Sequence, residues 1–595
     1  MSTAVHLLGP PRVIRNGTIL NGPRGRKAWG LLAFLVLAQR PPSRQRLVSL
    51  LFERADDPRG ALRWNLAEIR RTLDGTVTIG GDPLTLDLSA QVSIDIADLA
   101  AAVHATEDGP PHGELLEGLT FDDSPAFDTW LAMERRRLAA DSRAIAYRWS
   151  VELLAHGEPE TAAQIAARAV ESDPFNTDLH AVIVSSLMRA GDPASARAYI
   201  ARCADVYRRE LGTALPAAIA NAATTASTGA PVSAAAIRSL LDLADASLSA
   251  GAAAAGIDQL RRAVAGARDD EPHLSARARL ALASALIHTQ GGRGGEVVTL
   301  LHEARANAER CADTTVGAAA CRELAFLAVQ KGHRAEVEHW LSQAEQWGPS
   351  TAENSRILGV RGMSLSDSGD YDAASHALAT SLDAARSTGD RRQVAWSEAM
   401  LGRVHLLRGE ASQAALVLDD ALAIIQAERW TAFAPFPQAL RAEAAVALDD
   451  NTTARDLLEY AWIQATESAD QCWVAAVTHA HGVLARREGR DALTWCRTGL
   501  AAEPWYTWMR ARLLDLAADL TLGQPESIGL VDELEQLAGA GAMRELMVRA
   551  LIHRSRTGDP MQITRARAIA LDIPNPILHQ ALKHETPHDQ GVSQI

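Results

Sequence analysis

Lysine is almost missing from this chain of 595 residues: only Lys27, Lys331 and Lys583 occur. A phosphate-cradling Gly-x-x-x-x-Gly-Lys-[Ser/Thr] loop needs one, and none of the three sits in such a loop, so a P-loop nucleotide switch is excluded. The segment Gly291-Gly-Arg-Gly-Gly295 is glycine-rich, but it lacks the lysine and follows no strand, so it is expected to be a turn between helices. Cysteine is also scarce. Cys203, Cys311, Cys321, Cys472 and Cys496 contain no C-x-x-C pair and no metal-ligand spacing, which fits small buried side chains in a reducing compartment. His479 and His481 stand two apart, on different sides of a helix, so they do not form a metal pair. No Gly-x-Ser-x-Gly elbow and no paired-acid constellation stands out. The reading is therefore not an enzyme, with no cofactor and no metal. Long apolar runs are missing as well. The run Leu31 to Ala38 falls far short of the ~20 residues a membrane span needs. The N-terminus has no basic region followed by an apolar stretch, so a cytoplasmic protein is expected.

What the chain does contain is charge of opposite sign on two parts of its length. The net charge is −14, yet residues 1 to 90 hold thirteen Lys and Arg against seven Asp and Glu, a balance of +6 that leaves −20 for the rest. A cationic head on an acidic body suits a nucleic-acid contact at the head and discourages nonspecific sticking elsewhere.

Within the head, Asp57 to Asp74 reads as a helix with a clear start. Asp57 can accept from a free first-turn amide, and Pro58 can stand at the first helical position. Leu62, Leu66, Ile69 and Leu73 fall on one stripe at about 100° per residue. Arg63, Trp64, Ala67, Arg70 and Arg71 fall on the flank and back, with Asn65 nearer the stripe. Ahead of it, Lys27 to Gln39 and Ser43 to Phe52 read as amphipathic helices, with Ser43 as a cap and Pro41-Pro42 between them. Behind it, Val77 and Ile79, then Leu84, Leu86 and Leu88, alternate around Gly80-Gly81-Asp82 as in a hairpin. Residues 3 to 22 read as a small antiparallel sheet. Three helices and a hairpin make a winged helix-turn-helix, whose third helix enters the major groove.

In that arrangement Arg63, Trp64 and Arg70 would face the groove, and Ala67 would permit close approach or touch a thymine methyl. Trp64 has an alternative, packing on the helices that follow. Arg71, Arg44, Arg26 and Lys27 would hold phosphates, with Arg46 beside Arg44; Arg59 and Gly81 complete the candidate set. For each of these cations, solubilising charge is the other reading.

From Ile94 to Ile219 the pattern is helical. Gly157-Glu-Pro-Glu-Thr-Ala and Gly191-Asp-Pro-Ala-Ser-Ala open two hairpins 34 residues apart, the tetratricopeptide period. A small, polar stretch, Thr224 to Ser233, reads as a linker. Helix turns then align at Gly251, Gly292, Gly332, Gly369, Gly409, Asp449 and Gly489, at intervals of 37 to 41. Such units bury their apolar sides only against neighbours, so a curved solenoid follows. Trp430, Trp462, Trp473, Trp495, Trp505 and Trp508 cluster late; core packing is the expected use, a ligand groove the alternative.

Four stretches together resemble the actinomycete antibiotic-regulatory activators, the SARP family, over about residues 1 to 225: Arg24 to Ala33, Ala61 to Arg71, Phe127-Asp-Thr-Trp-Leu131 and Tyr207-Arg-Arg-Glu-Leu-Gly212. The resemblance implies an OmpR-like winged helix followed by a bacterial transcriptional activator domain. It also implies an activator that binds direct repeats in double-stranded DNA near a promoter and recruits RNA polymerase, including its sigma factor. The 40-residue period resembles the repeats of MalT-type regulators. The expected fold is mainly α: a winged helix with small β-sheets over 1–92, the activator domain over 93–223 and a linker over 224–234. Repeats over 235–575 and a flexible tail over 576–595 complete it. The repeats are expected to sense a peptide, protein or small-molecule effector, or to support self-association of the helical domains. The alternative is a tetratricopeptide adaptor whose winged helix contacts proteins.

Overall fold

The computed structural model describes residues 3–38, 41–73, 76–89, 92–98, 113–225, 233–267, 271–468 and 470–584. The chain divides into two compact units, Met1–Ser227 and Thr228–Ile595.

The first unit opens with strands β1 (Thr3–His6), β2 (Arg12–Arg15) and β3 (Thr18–Leu20), paired antiparallel. Asn16 and Gly17 both take positive φ, as the tight turn between β2 and β3 requires. Helices α1 (Arg26–Leu37), α2 (Arg44–Leu47) and α3 (Pro58–Leu73) follow, then the hairpin of β4 (Val77–Gly80) and β5 (Thr85–Leu88). The second amphipathic stretch is not one regular helix. After Leu47 the chain widens by a residue per turn over Val48–Phe52, which carries Leu51 and Phe52 into the core. Ser43 caps α2, its Oγ accepting the Arg46 amide at 3.2 Å. The expectation for Gln39 lies outside the described residues.

A three-residue strand, β6 (Val92–Ile94), lies parallel to β1 and completes the sheet in the order β3-β2-β1-β6. A short helix, α4 (Asp95–Asp98), follows it, and the Asp95 carboxylate accepts the amides of Leu7, Leu8 and Ile96. The helical part of this unit is α5 (Pro125–Ala155), α6 (Pro159–Ser172), α7 (Thr177–Arg189), α8 (Pro193–Val206) and α9 (Ala217–Thr225). Residues on both sides of position 92 share one core, which runs from Val5 through α1 and α3 to Trp149 and Ile165. Gly30 shows how close the join is: a Cβ there would come within 2.9 Å of the rings of Phe121 and Phe127. Phe34 stacks obliquely on Trp130 at 4.8 Å, and Ser124 Oγ donates to the Leu51 carbonyl. These contacts fix the direction of α1, and through it the seat of α3.

The second unit is a succession of antiparallel helix pairs, from Ala234–Ser249 with Ala253–Gly266 to Arg544–Arg556 with Gln562–Ala570, closed by Pro576–His584. Gly251, Gly332, Gly369, Gly409, Asp449 and Gly489 each take the left-handed conformation that ends a helix. At the second turn Gly291, not Gly292, does so. The segment 576–584, expected to be part of a flexible tail, is a helix that buries Leu578 and Leu582; residues 585–595 lie outside the described residues. Most of the expected linker, 226–232, lies outside them too. Within pairs the helices approach at small residues: a Cβ on Gly362 or Gly402 would fall 2.5 Å from Leu378 or Leu418, forty residues apart.

The array winds tightly enough that turns of early repeats meet segments about four to five repeats later. Thr507 Oγ1 donates to the Gln330 carbonyl at 3.1 Å, Arg334 Nε to Gly541 O at 3.0 Å, and Arg544 Nε to Ser368 O at 3.0 Å. Arg403, fully buried, joins Asp367 at 3.0 Å and Tyr506 Oη at 2.8 Å, with its guanidinium 4.5 Å from the Trp508 ring centre. The inner faces of successive helices carry a polar spine, Glu443, His479, Asp515 and His553. Within it His479 bonds Glu443 and His553 bonds Asp515, each at 2.8 Å.

Burial alone would raise the carboxyls of Glu443 and Asp515. The facing Arg512 and His479, and Arg549 and His553, outweigh it and hold both at about 2. Burial and Arg512 depress His479, so Arg512 carries the positive charge opposite Glu443 at neutral pH. A carboxyl held low stabilises the fold fully above its unfolded pKa, and that contribution is lost as pH falls through the folded value. The urea midpoint of the second unit is therefore expected to decline gently below about pH 6.5, as unfolded histidine takes up a proton, and steeply from about 4.5 towards 2. Unfolding curves at pH 7, 5, 4 and 3 check this; a midpoint unchanged down to pH 3 would contradict it.

Candidate nucleic-acid interface

The third helix starts as its sequence dictates. Asp57 Oδ1 accepts the Gly60 amide at 2.8 Å, and Pro58 leads the helix. Leu62, Leu66, Ile69 and Leu73 are buried, and Asn65 is buried with them, its amide donating to Ala61 O at 2.8 Å. Burying that stripe holds the opposite face out: Arg59, Arg63, Trp64, Ala67, Arg70 and Arg71 are all exposed. Arg63 is 68% exposed and makes only a loose pair with Asp57 at 3.8 Å. Trp64 is 51% exposed, its ring lying beside Gly25.

Most of the remaining cations are engaged. Arg70 donates to the Ile79 carbonyl of β4 at 2.5 Å, which ties the wing to α3 while leaving the side chain exposed. Arg71 pairs with Glu68 at 2.7 Å, and Glu68 also accepts the Arg24 amide. The Arg71 hydrogen bond lowers the Glu68 carboxyl below its ordinary range. Arg44 fastens the wing turn: its Nε donates to Gly81 O at 3.1 Å and its backbone amide to Asp82 Oδ1 at 2.9 Å. Gly81 takes a φ of +85° there. Arg46 stays exposed. Arg26 and Lys27 converge on Asp123, at 3.0 and 2.9 Å, and Lys27 also lies over the Phe52 ring. Burial would raise the Asp123 carboxyl, but Lys27 and Arg26 outweigh it and hold it low.

So the structure brings Arg59, Arg63, Trp64, Ala67, Arg70 and Arg71 onto one face. It gives Arg44, Arg26 and Lys27 anchoring contacts as well. Sequence reasoning passed over Glu68, Asp82 and Asp123, the acids that orient these cations. The i, i+3 spacing of Glu68 and Arg71 was the one local signal for them.

A helix of sixteen residues, about 24 Å long and about 10–12 Å across with its side chains, fits the width of a B-DNA major groove. Guanidinium groups on such a helix suit guanine edges and phosphates. Among the described residues no group of three or more His, Cys, Asp or Glu could hold a metal ion, and no helix is long and apolar enough to cross a membrane.

Residues 98–226 match the model of the bacterial transcriptional activator domain. The chain carries a transcriptional activator domain. Residues 353–427 match a tetratricopeptide repeat model, so the match to the activator domain is followed by one to tetratricopeptide repeats, the order that the resemblance to the SARP family led us to expect. Both families are regulatory or scaffolding in kind. No curated protein matches the chain. Among solved structures, similarity extends to EmbR of Mycobacterium tuberculosis in complex with a low affinity phosphopeptide, at 16% identity and a TM-score of 0.29, covering 38% of this chain and 64% of EmbR. The chain thus spans somewhat under two thirds of EmbR. Yeast Tom70 matches at 13% identity and a TM-score of 0.28, covering 78% of this chain and 95% of its own. The P58(IPK) tetratricopeptide domain matches at 16% and 0.19, covering 59% and 97%.

Proposed function

We propose that this activator grips duplex DNA through the exposed face of α3, with Arg63 and Arg70 reading base edges and Ala67 letting the helix approach. Arg59, Arg71 and Arg46 hold phosphates. Arg44 acts at two levels, as a phosphate contact and as the fastening of the wing turn around Gly81. Arg26, Lys27 and Trp64 contribute to the rim of the same surface. The observation that carries the reading is the all-exposed guanidinium face on a helix whose other side is buried. The cationic head on an acidic chain supports it.

The target is a pair of direct repeats upstream of a promoter, where the activator domain meets RNA polymerase and its sigma factor in the cytoplasm. The tetratricopeptide repeats receive a protein, peptide or small-molecule effector, or hold a second copy. Retardation of DNA from upstream of the protein's own and neighbouring genes by the full chain tests the reading. Sequence-specific retardation is expected; none at low salt would overturn it.

Arg44→Ala separates phosphate contact from base reading. It is expected to weaken all sequences alike and to reduce the salt slope of log K by about one. Gel shifts over a salt series measure both, and a sequence-dependent loss would contradict the assignment.

A further inference from the structure

The repeat unit carries an open hollow of about 350 Å³ lined by helices Gln471–Arg487, Thr507–Leu520 and Arg544–Arg556. Tyr371, Leu407 and Ile577 also line it. That volume lies at the small end of the range for ligand pockets, about 300–1,000 Å³, and is too small for a helix or a folded partner.

The walls carry both signs of charge beside an apolar patch. Asp515 and Asp519 stand one turn apart on one helix; Arg549 and Arg556 face them from the next, and Arg486 from the one before. The pairs run from Arg486 to Asp519 at 2.5 Å, from Arg556 to Asp519 at 3.0 Å, and from Arg549 to Asp515 at a looser 3.5 Å. Val483, Leu516, Ile552 and Ile577 supply the apolar part.

Packing does not call for this. Inner faces of helical repeats close well on Ala and Leu, and ion pairs at such places stabilise no better than apolar residues of similar volume. Part of the wall also serves the winding contacts: Asp367 joins Arg403, and Glu545 bonds Tyr371 and Asn575. Arg486 and Asp519, by contrast, take no part in those contacts; they face each other in the lining of the hollow. A single small molecule that satisfies cations, anions and an aliphatic patch together is a zwitterion with an apolar body.

We propose that the hollow binds a free amino acid with an apolar side chain, or a di- or tripeptide of such residues. The carboxylate meets Arg486 and Arg556, the ammonium meets Asp515 and Asp519, and the side chain lies on Val483, Leu516 and Ile552. This rests on the reading of the repeats as the receiving part of the protein. Binding is measured on the full chain without DNA, so its failure and the failure of DNA binding are separate results.

The test is calorimetric titration with the twenty amino acids and with leucyl and valyl di- and tripeptides; the matching N-acetyl amides and neutral sugars serve as controls. Saturable one-to-one binding by at least one zwitterion is expected, with its N-acetyl amide at least tenfold weaker. Arg486→Ala, at a side chain more than half exposed, should weaken binding at least tenfold and leave the melting temperature unchanged. Val483→Trp should fill the hollow and abolish binding. Should that variant lose cooperative melting, Arg486→Ala and Asp519→Asn decide the matter. No binding by any zwitterion, equal binding by the uncharged amides, or unaltered binding in these variants would overturn the proposal.

Discussion

Arg63→Ala is expected to lower affinity for the promoter site by about 1–3 kcal/mol, roughly five- to 150-fold, and to relax sequence preference. The reason is that the side chain has little else to do. It is 68% exposed, and its carboxylate neighbour, Asp57, sits at a loose 3.8 Å. The melting temperature of the variant should therefore match the parent. Leu66→Ala is the contrast: it removes a buried side chain from beneath the same helix and should cost about 2–5 kcal/mol of stability while touching no DNA. Anisotropy titrations with specific and scrambled duplexes, together with melting curves, separate the two. Unchanged specific affinity in a folded Arg63→Ala chain would remove this residue from the interface.

Arg403→Ala is expected to be the most damaging single change in the repeats, at about 3–5 kcal/mol. Arg403 is wholly buried, and its loss leaves the Asp367 carboxylate sealed in without its closest counter-charge and takes a hydrogen bond from Tyr506 Oη. The cost comes from the stranded charge more than from the lost attraction. Pairing Arg403→Met with Asp367→Asn should therefore recover part of the stability that Arg403→Ala loses, because no carboxylate is stranded, although Arg334, 3.4 Å from Asp367, loses that ion pair. Denaturant unfolding of the two variants and the parent measures this. An Arg403→Ala chain within about 1 kcal/mol of the parent would show that the winding contacts contribute little.

What could be read in the sequence was local and periodic. The stripe Leu62, Leu66, Ile69 and Leu73 fixed which side of α3 is covered, and the same spacing set Asn65 inside. Turn residues gave the repeats, since a left-handed helix end selects Gly, although at Gly291-Gly292 two glycines in a row hid which of them turns. The missing parts are non-local. Strand β6 has three residues, too few for an alternation to show, and its partner β1 lies almost ninety positions away. The widened turn at Val48–Phe52 has no composition of its own. Helix Pro576–His584 stands among prolines and was read as tail, yet Leu578 and Leu582 have a surface to cover. At the candidate interface, residue type and helix face could be read, but the acids holding the cations could not, because Asp123 reaches Lys27 across the join to the activator helices. The six late tryptophans divide: Trp462 and Trp495 pack edge-on at 5.6 Å, whereas Trp508 lies under Arg403 and borders the hollow.

Mapping the DNA bound by the full chain across the genome tests the central claim most directly. Occupied sites are expected to contain two copies of one short sequence in the same orientation, about 10–11 base pairs from centre to centre and upstream of promoters, so that both copies face one side of the duplex. Recovery of DNA without sequence enrichment, or with the same pattern after Arg63 and Arg70 are both replaced by alanine, would contradict it.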